Sequence, residues 1–323
     1  MQQRPLGRSG LAVSRLALGT MTWGADTDTD DAAAQLKGFV DAGGNLVDTA
    51  DVYGDGEAEA VIGSLLDTLI PRDDLLIATK GGLRPGSGRR RDGSRGHLLS
   101  SLDASLRRLG TDHVDLWQVH GYDESTPLEE TLAALDYAVT SGRVRYAGVS
   151  NFSGWQTARA AAWQQALPGR TPVVATQVEY SLLERGIERE VLPACEALGL
   201  GVLAWSPLGR GVLTGKYRHG RPADSRAASP HFGPFVATYL DSQSSAIVEA
   251  VATAAGGLGV SPLEVALAWV RDRPGVVAPV LGARTVGQLL GALKVEAMTL
   301  PSEIETALDD VSAIPVGYPE RDA

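Results

Sequence analysis

Eight short apolar runs along this chain stop at a glycine or polar residue, and longer segments of helical periodicity alternate with them. The strand-like runs are 15–19, 45–48, 75–79, 114–119, 144–149, 173–178, 201–205 and 276–281. The helix-like segments are 30–42, 57–69, 98–109, 128–141, 154–165, 187–198, 242–255 and 262–271. Alternation of this kind implies right-handed parallel βαβ units, and eight of them close into a (β/α)₈ TIM barrel. An open doubly wound sheet is the competitor. Its dinucleotide fingerprint is missing, because Gly54-Asp55-Gly56-Glu57-Ala58-Glu59 lacks the third glycine. Ahead of the barrel, 4–13 carries Gly7 and Ser9-Gly10 between short apolar pieces and reads as an N-terminal β-hairpin. Extra helices are expected in the C-terminal part. No linker or low-complexity tract interrupts the 323 residues, and a barrel of about 250 residues plus insertions fits them, so one domain is expected over 1–323.

Composition narrows the function classes. The net charge of −10 argues against nucleic-acid binding, which needs a concentrated basic face. The single cysteine, Cys195, excludes an internal disulfide and suits a reducing compartment. The first residues show no charged-then-apolar leader, and no apolar run reaches the roughly 18 residues of a membrane span. A cytoplasmic protein without a membrane partner is the expectation.

In a barrel the active site lies at the C-terminal ends of the strands, and side chains two apart share a face. By that parity Asp48 shares its face with Leu46, Lys80 with Ala78, and His120 with Gln118 and Leu116, while Trp117 points to the helices. Three ionisable residues thus end three successive strands facing inward, with Tyr53 in the loop just above Asp48. A phenol, with a reference pKa of about 10, is a poor proton donor near neutrality. A neighbouring ammonium is expected to lower that value, and a carboxylate to hold the ammonium in place. Lys80 and Asp48 suit those tasks, and His120 can orient a carbonyl oxygen. Together they protonate an oxygen while something else attacks the carbon.

That other reagent is not visible among the side chains. Gly148-Val149-Ser150-Asn151-Phe152 fails the G-x-S-x-G serine elbow at its last glycine. The five histidines show no metal-ligand spacing. A hydride from a bound cofactor remains the natural reagent.

At this point the sequence resembles the aldo-keto reductase family over nearly its whole length. The matching stretches include Leu18-Gly19-Thr20-Met21-Thr22-Trp23-Gly24, Asp48-Thr49-Ala50-Asp51-Val52-Tyr53-Gly54, Ala78-Thr79-Lys80 and Asp115-Leu116-Trp117-Gln118-Val119-His120. Further on come Gly148-Val149-Ser150-Asn151, Gln177-Val178-Glu179-Tyr180-Ser181, the run from Trp205 to Tyr217, and Gly282-Ala283-Arg284-Thr285 with Gln288-Leu289. The resemblance implies a barrel that binds NADPH and reduces small-molecule carbonyls to alcohols, with Tyr53 as proton donor. It implies that Ser150, Asn151 and Gln177 hold the nicotinamide carboxamide and that Trp205 stacks on its ring. It places Ser206, Pro207, Leu208, Gly209, Arg210 and Lys216 along the pyrophosphate, and Arg226, Arg284 and Gln288 at the adenosine end. Gly19, Thr20, Met21, Asp48 and Gly282 complete the implied cofactor set. Two arginines near a 2′-phosphate favour NADP over NAD, since a guanidinium gives bidentate charge-assisted bonds. In many relatives a Glu-Asn pair after Gln288 contacts adenine; Gly291 and Ala292 stand there in this chain, so adenine recognition is weaker or falls to other groups.

Two loops add expectations. The segment 217–238 is rich in Gly, Pro and Ser and reads either as a loop that orders on the cofactor, with Phe232 and Phe235 capping the pocket, or as an uninvolved tip. Arg84, Arg89, Arg90, Arg91 and Arg95 follow the third strand. They read either as a recruiter of anionic substrate or as a solvated charge run. Trp23, Tyr53, His120, Tyr122 and Phe152 are the expected aromatic walls for the substrate. Two rival functions remain open: a redox-sensing partner protein, implied by the ion-channel β-subunits that share this barrel, and a sugar or polyol dehydrogenase running in the oxidative direction. His120 counts against the first, because that branch tends to carry Asn there.

Overall fold

Parity along the strands decides the architecture, and in the computed structural model, which describes residues 1–223, 225–229, 233–315 and 317–318, each of the eight strand-like runs is a strand. In chain order they are β3 (Ala17–Gly19), β4 (Leu46–Asp48), β5 (Leu76–Gly81), β6 (Val114–Val119), β7 (Val144–Ser150), β8 (Val173–Glu179), β9 (Gly201–Trp205) and β10 (Val276–Gly282). They pair in parallel in that order, and β10 returns to β3 to close the barrel. The intervening helices are α1 (Thr29–Asp41), α2 (Glu57–Leu65), α3 (Arg95–Leu109), α4 (Leu128–Thr140), α5 (Gly154–Gln165) and α6 (Ile187–Leu198). Beyond β9 come α7 (Gly233–Ala237), α8 (Ser242–Leu258) and α9 (Pro262–Arg271), and beyond β10 come α10 (Val286–Leu293) and α11 (Ser302–Val311). The (β/α)₈ TIM barrel and its extra C-terminal helices are therefore as expected. No single helix among the described residues is long and apolar enough to cross a membrane.

The two faces of each strand bury different things. Leu46, Ala78, Leu116, Ala175, Leu203 and Ala278 form the barrel interior, where small and large side chains alternate. Val47, Ile77, Trp117 and Val119 join the layer between barrel and helices. Trp117 faces the helices as its parity requires.

The N-terminal hairpin, β1 (Gln3–Pro5) and β2 (Ala12–Ser14), would be marginal alone. It is held because Leu6, Leu11 and Val13 are buried against the barrel interior, each contributing roughly 1.5–3 kcal/mol. Gly7 permits the approach. Its φ is +60°, and a Cβ there would lie 2.4 Å from the Val174 carbonyl oxygen.

Differences from the sequence reading are local. The helix expected over 57–69 ends at Leu65, because Leu66 turns extended and Asp67 takes a positive φ to donate its N–H to the Ile70 oxygen. The helix expected from 98 starts at Arg95, where the Ser94 N–H, just before it, donates to Asp92 Oδ1. The irregular segment 217–238 contains α7 and a 3₁₀ turn at Arg226–Ala228. Phe232 and the Arg226 side chain lie outside the described residues.

Candidate active site

Strand register brings Asp48, Lys80 and Gln177 together. Asp48 ends β4 opposite Ala78, so Lys80, two residues further along β5, rises to the same level from the neighbouring strand. The ammonium finds three acceptors: Asp48 Oδ2 at 2.7 Å, the Thr49 carbonyl at 2.8 Å and Tyr53 Oη at 3.3 Å. All three N–H bonds of the buried lysine are thereby used. Since Lys80 donates to the phenol oxygen, the phenol hydrogen is free to turn into the cavity that Tyr53 lines. Asp48 Oδ1 accepts from Gln177 Nε2 at 2.7 Å, across the barrel from β8.

The electrostatics differ from the sequence expectation in one respect. Burial raises the Tyr53 pKa above its ordinary value and outweighs the lowering by Lys80, because Asp48 offsets the ammonium. Tyr53 is a protonated phenol, not one poised to ionise. For Lys80, burial favours loss of the proton, but Asp48 and Tyr53 outweigh it, and the pKa stands above its ordinary value. Burial first, then Lys80 and Arg91, push His120 well below the usual imidazole range, so its ring is neutral. Its Nδ1 is buried without a partner among the described residues. An orphaned N–H costs more than an orphaned lone pair, so we assign the proton to Nε2. The Tyr53 and His120 rings meet edge to face, 6.0 Å between centroids, at the wall of the same cavity.

That cavity, about 650 Å³, runs across the C-terminal mouth of the barrel. Of the residues implied for a cofactor, Gly19, Thr20, Met21, Asp48, Ser150, Asn151, Gln177 and Trp205 line it, as do Ser206, Pro207, Leu208, Arg210, Lys216, Gly282, Arg284 and Gln288. Several are already tied to one another. Ser150 Oγ donates to the Gln177 carbonyl at 2.9 Å, and Asn151 Nδ2 donates to Ser150 Oγ and the His120 carbonyl. Trp205 Nε1 donates to Asn151 Oδ1 at 3.0 Å, which fixes the indole at the mouth. Asn151, Ser206 and Arg210 all carry positive φ, a strained backbone that clusters at functional sites.

Some expected residues are placed elsewhere. Trp23 is fully buried, its Nε1 turned to Gln35 Oε1 at 3.4 Å, and does not line the cavity. Tyr122 and Phe152 pack edge to face on each other, centroids 5.3 Å apart, and also stay out of the lining. Gly209 is buried behind the lining rather than in it. Arg210 reaches the cavity, but its guanidinium is engaged by Glu179 at 2.9 and 2.7 Å and by the Phe235 carbonyl. Its charge is matched inside the protein. Of the two phenylalanines expected to cap the pocket, Phe235 lines it.

Residues that the sequence reading did not assign also matter here. Val52, Leu83 and Leu263 supply apolar wall. Beneath Tyr53, Asp51 is a mostly buried carboxylate that accepts a short hydrogen bond from Ser101, near the Glu59–Arg108 pair. Burial raises the Asp51 pKa to about 6. A carboxylate held above its unfolded value contributes stability present below that value and lost as pH rises through the folded one, here between about 3.8 and about 6. Asp51→Asn is therefore expected to be more stable than the parent at pH 8, by roughly 1–3 kcal/mol, and to gain nothing at pH 4, as thermal melts at both pH values will read. Elsewhere, burial of Cys195 pushes its thiol up to about 12, so it is no nucleophile.

Comparison with known proteins supplies the remaining constraint. Residues 15–313 match the model of the aldo/keto reductase family. A Bacillus subtilis (strain 168) protein named uncharacterized oxidoreductase YrpG is 38% identical, covering 98% of each chain. A probable voltage-gated potassium channel subunit beta of Oryza sativa subsp. japonica is 36% identical over 99% of this chain and 98% of its own. The aldo-keto reductase YhdN of Bacillus subtilis (strain 168) is 32% identical over 98% of this chain and 96% of its own. With the barrel, the polar strand ends and this match over nearly the whole length in agreement, the chain belongs to the aldo/keto reductase family of carbonyl-reducing oxidoreductases.

Proposed function

We propose that the protein is an NADPH-dependent reductase of aldehyde or ketone carbonyls in which Tyr53 is the general acid. The observation that carries this reading is the set of bonds from Lys80 to Asp48 and Tyr53, beside a neutral His120, at one wall of a large cavity. When bound, the nicotinamide supplies hydride to the carbonyl carbon. The chain's own residues do the rest. His120 Nε2–H and the Tyr53 hydroxyl donate to the carbonyl oxygen and orient it. As negative charge gathers there, the Tyr53 proton transfers, and the phenolate left behind is stabilised by the Lys80 ammonium 3.3 Å away. Asp48 holds Lys80 charged and in place throughout.

The residues fit an extended dinucleotide. Gln177 gives its NH₂ to Asp48 and keeps Oε1 for a carboxamide N–H. Trp205 is held at the mouth with its ring beside the cavity. Arg284 and Gln288 line the far end, with Gln288 Oε1 accepting the Arg284 N–H at 2.9 Å. A guanidinium there is apt for a 2′-phosphate.

The test is spectrophotometric. Purified protein is expected to oxidise NADPH with simple aldehydes and to prefer it over NADH. Arg284→Ala is expected to weaken NADPH binding roughly 10- to 100-fold, the range of one charge-assisted contact, and to leave NADH binding nearly unchanged. A variant that keeps the parent's preference for NADPH over NADH removes Arg284 from the role. A redox-sensing role is the second reading, favoured by the relatives named as channel subunits. Tight NADPH binding with no turnover on any carbonyl would select it.

A further inference from the structure

The loop between β5 and α3 and the first residue of α3 together carry five arginines, and the structure treats one of them differently. Arg84 pairs with Asp92 at 3.0 Å, Arg89 pairs with Asp123 and Asp92, and Arg91 donates to the Tyr122 carbonyl at 3.2 Å. Arg95 stacks over the Tyr137 ring at 5.3 Å. These partners bind the loop down. Ser87 Oγ reaches the carbonyls of Arg84 and Arg89, and the Arg84 N–H donates to the Arg90 carbonyl at 2.8 Å, so the backbone at position 90 is fixed. The Arg90 side chain alone has no ion pair, side-chain hydrogen bond or ring contact among the described residues, and it lines the cavity with Leu83, Tyr53 and His120.

No carboxylate of the cavity lining is left over to pair with that guanidinium. The one carboxylate among the described lining residues is Asp48, already bonded to Lys80 and Gln177. Arg90 also belongs to the catalytic wall by chain geometry: Leu83 follows Lys80 by three residues and bridges to Arg91, next to Arg90. In a chain of net charge −10, an unpaired cation that lines the same cavity as Tyr53, on a backbone held by its neighbours, is the complement of an anion.

We propose that Arg90 receives the anionic end of the carbonyl substrate, so that the site selects aldehydes or ketones carrying a phosphate or carboxylate over neutral ones of similar size. This rests on the reading of the site as a carbonyl reductase. The loop architecture is then a mount: three arginines tie the loop to Asp92, Asp123 and the Tyr122 carbonyl, and the fourth presents its charge.

The experiment compares glycolaldehyde phosphate, succinic semialdehyde and butanal with saturating NADPH, in the parent, Arg90→Ser and Arg95→Ser. The parent is expected to favour the charged aldehydes, and Arg90→Ser to lower their kcat/KM relative to butanal by about 10- to 100-fold, the range of one charged hydrogen bond. Arg95→Ser, whose guanidinium lies on α3 over Tyr137, is expected to change neither. The parent's preference is expected to shrink with added salt. Whichever charged aldehyde loses more identifies phosphate or carboxylate as the better partner. Calorimetric titration of 2-hydroxyethyl phosphate onto the NADP⁺-saturated protein reads the same contact without turnover. An unchanged charged-to-neutral ratio and an unchanged affinity in Arg90→Ser overturn the proposal. If none of the three aldehydes is reduced, the reductase reading fails and the titration alone decides on Arg90: lost affinity supports the anion site, and equal affinity removes it.

Discussion

Phenylalanine at position 53 is expected to slow the chemical step by about 10²–10⁴-fold while leaving NADPH affinity close to that of the parent. The substitution removes one hydroxyl and keeps the ring that meets His120 edge to face, so the wall of the cavity survives. What is lost is the proton. His120 cannot replace it as a strong acid, because burial and the nearby Lys80 and Arg91 keep its ring neutral; it can only orient. Lys80 loses one of its three acceptors and retains Asp48 and the Thr49 carbonyl, so the variant should fold. Single-turnover measurement of NADPH oxidation, with dinucleotide binding followed separately, reads the two quantities apart. Full kcat in the variant, with a hydride isotope effect showing that transfer is rate-limiting, would sink the role of Tyr53.

The protonated state of Tyr53 shapes how the acid works. An ionised phenol would have no proton to give when the carbonyl arrives. Burial outweighs the ammonium in the resting site, so the proton is in place when the carbonyl arrives. The Lys80 contact at 3.3 Å matters chiefly after transfer, when the phenolate forms and the attraction strengthens. Charge is thus matched where it develops and not in the ground state.

What could be read from the chain, and what could not, follows from the range of the interactions. Parity within a strand is local, so the inward placement of Asp48, Lys80 and His120 and the outward placement of Trp117 were legible from the runs that contain them. The order of eight strands gave closure, and closure brought Gln177 of β8 to Asp48 of β4, 129 residues away. Side-chain aim in loops has no such periodicity. Trp23 was expected in the wall, yet Gln35 of α1 draws its indole into the core. Tyr122 and Phe152 satisfy each other instead of a ligand. The pairing of Arg210 with Glu179 was equally hidden, because it depends on how the loop after β9 folds back over β8. The five arginines looked alike in the sequence. Only their partners distinguish Arg90 from the rest.

The pair that opens this network sets the second large effect. Asp48→Asn leaves the fully buried Lys80 ammonium without its counter-charge, and breaking a buried pair in this way costs about 3–5 kcal/mol. Burial then acts on Lys80 unopposed except by Tyr53, so its pKa is expected to fall and the lysine to lose its proton more readily. A neutral amine stabilises a Tyr53 phenolate poorly, and reduction should fail for an electrostatic reason even where the fold holds. Stability and chemistry can be separated by a cycle of Asp48→Asn, Lys80→Met and the two combined. Removing both charges abolishes the unpaired ion, so the double variant is expected to be more stable than Asp48→Asn alone in denaturant titrations. Its kcat is expected to stay as low as that of either single variant, because nothing in it stabilises the phenolate. Additive losses of stability across the cycle would mean that Asp48 and Lys80 act independently. That outcome would contradict the 2.7 Å contact on which the description of this site depends.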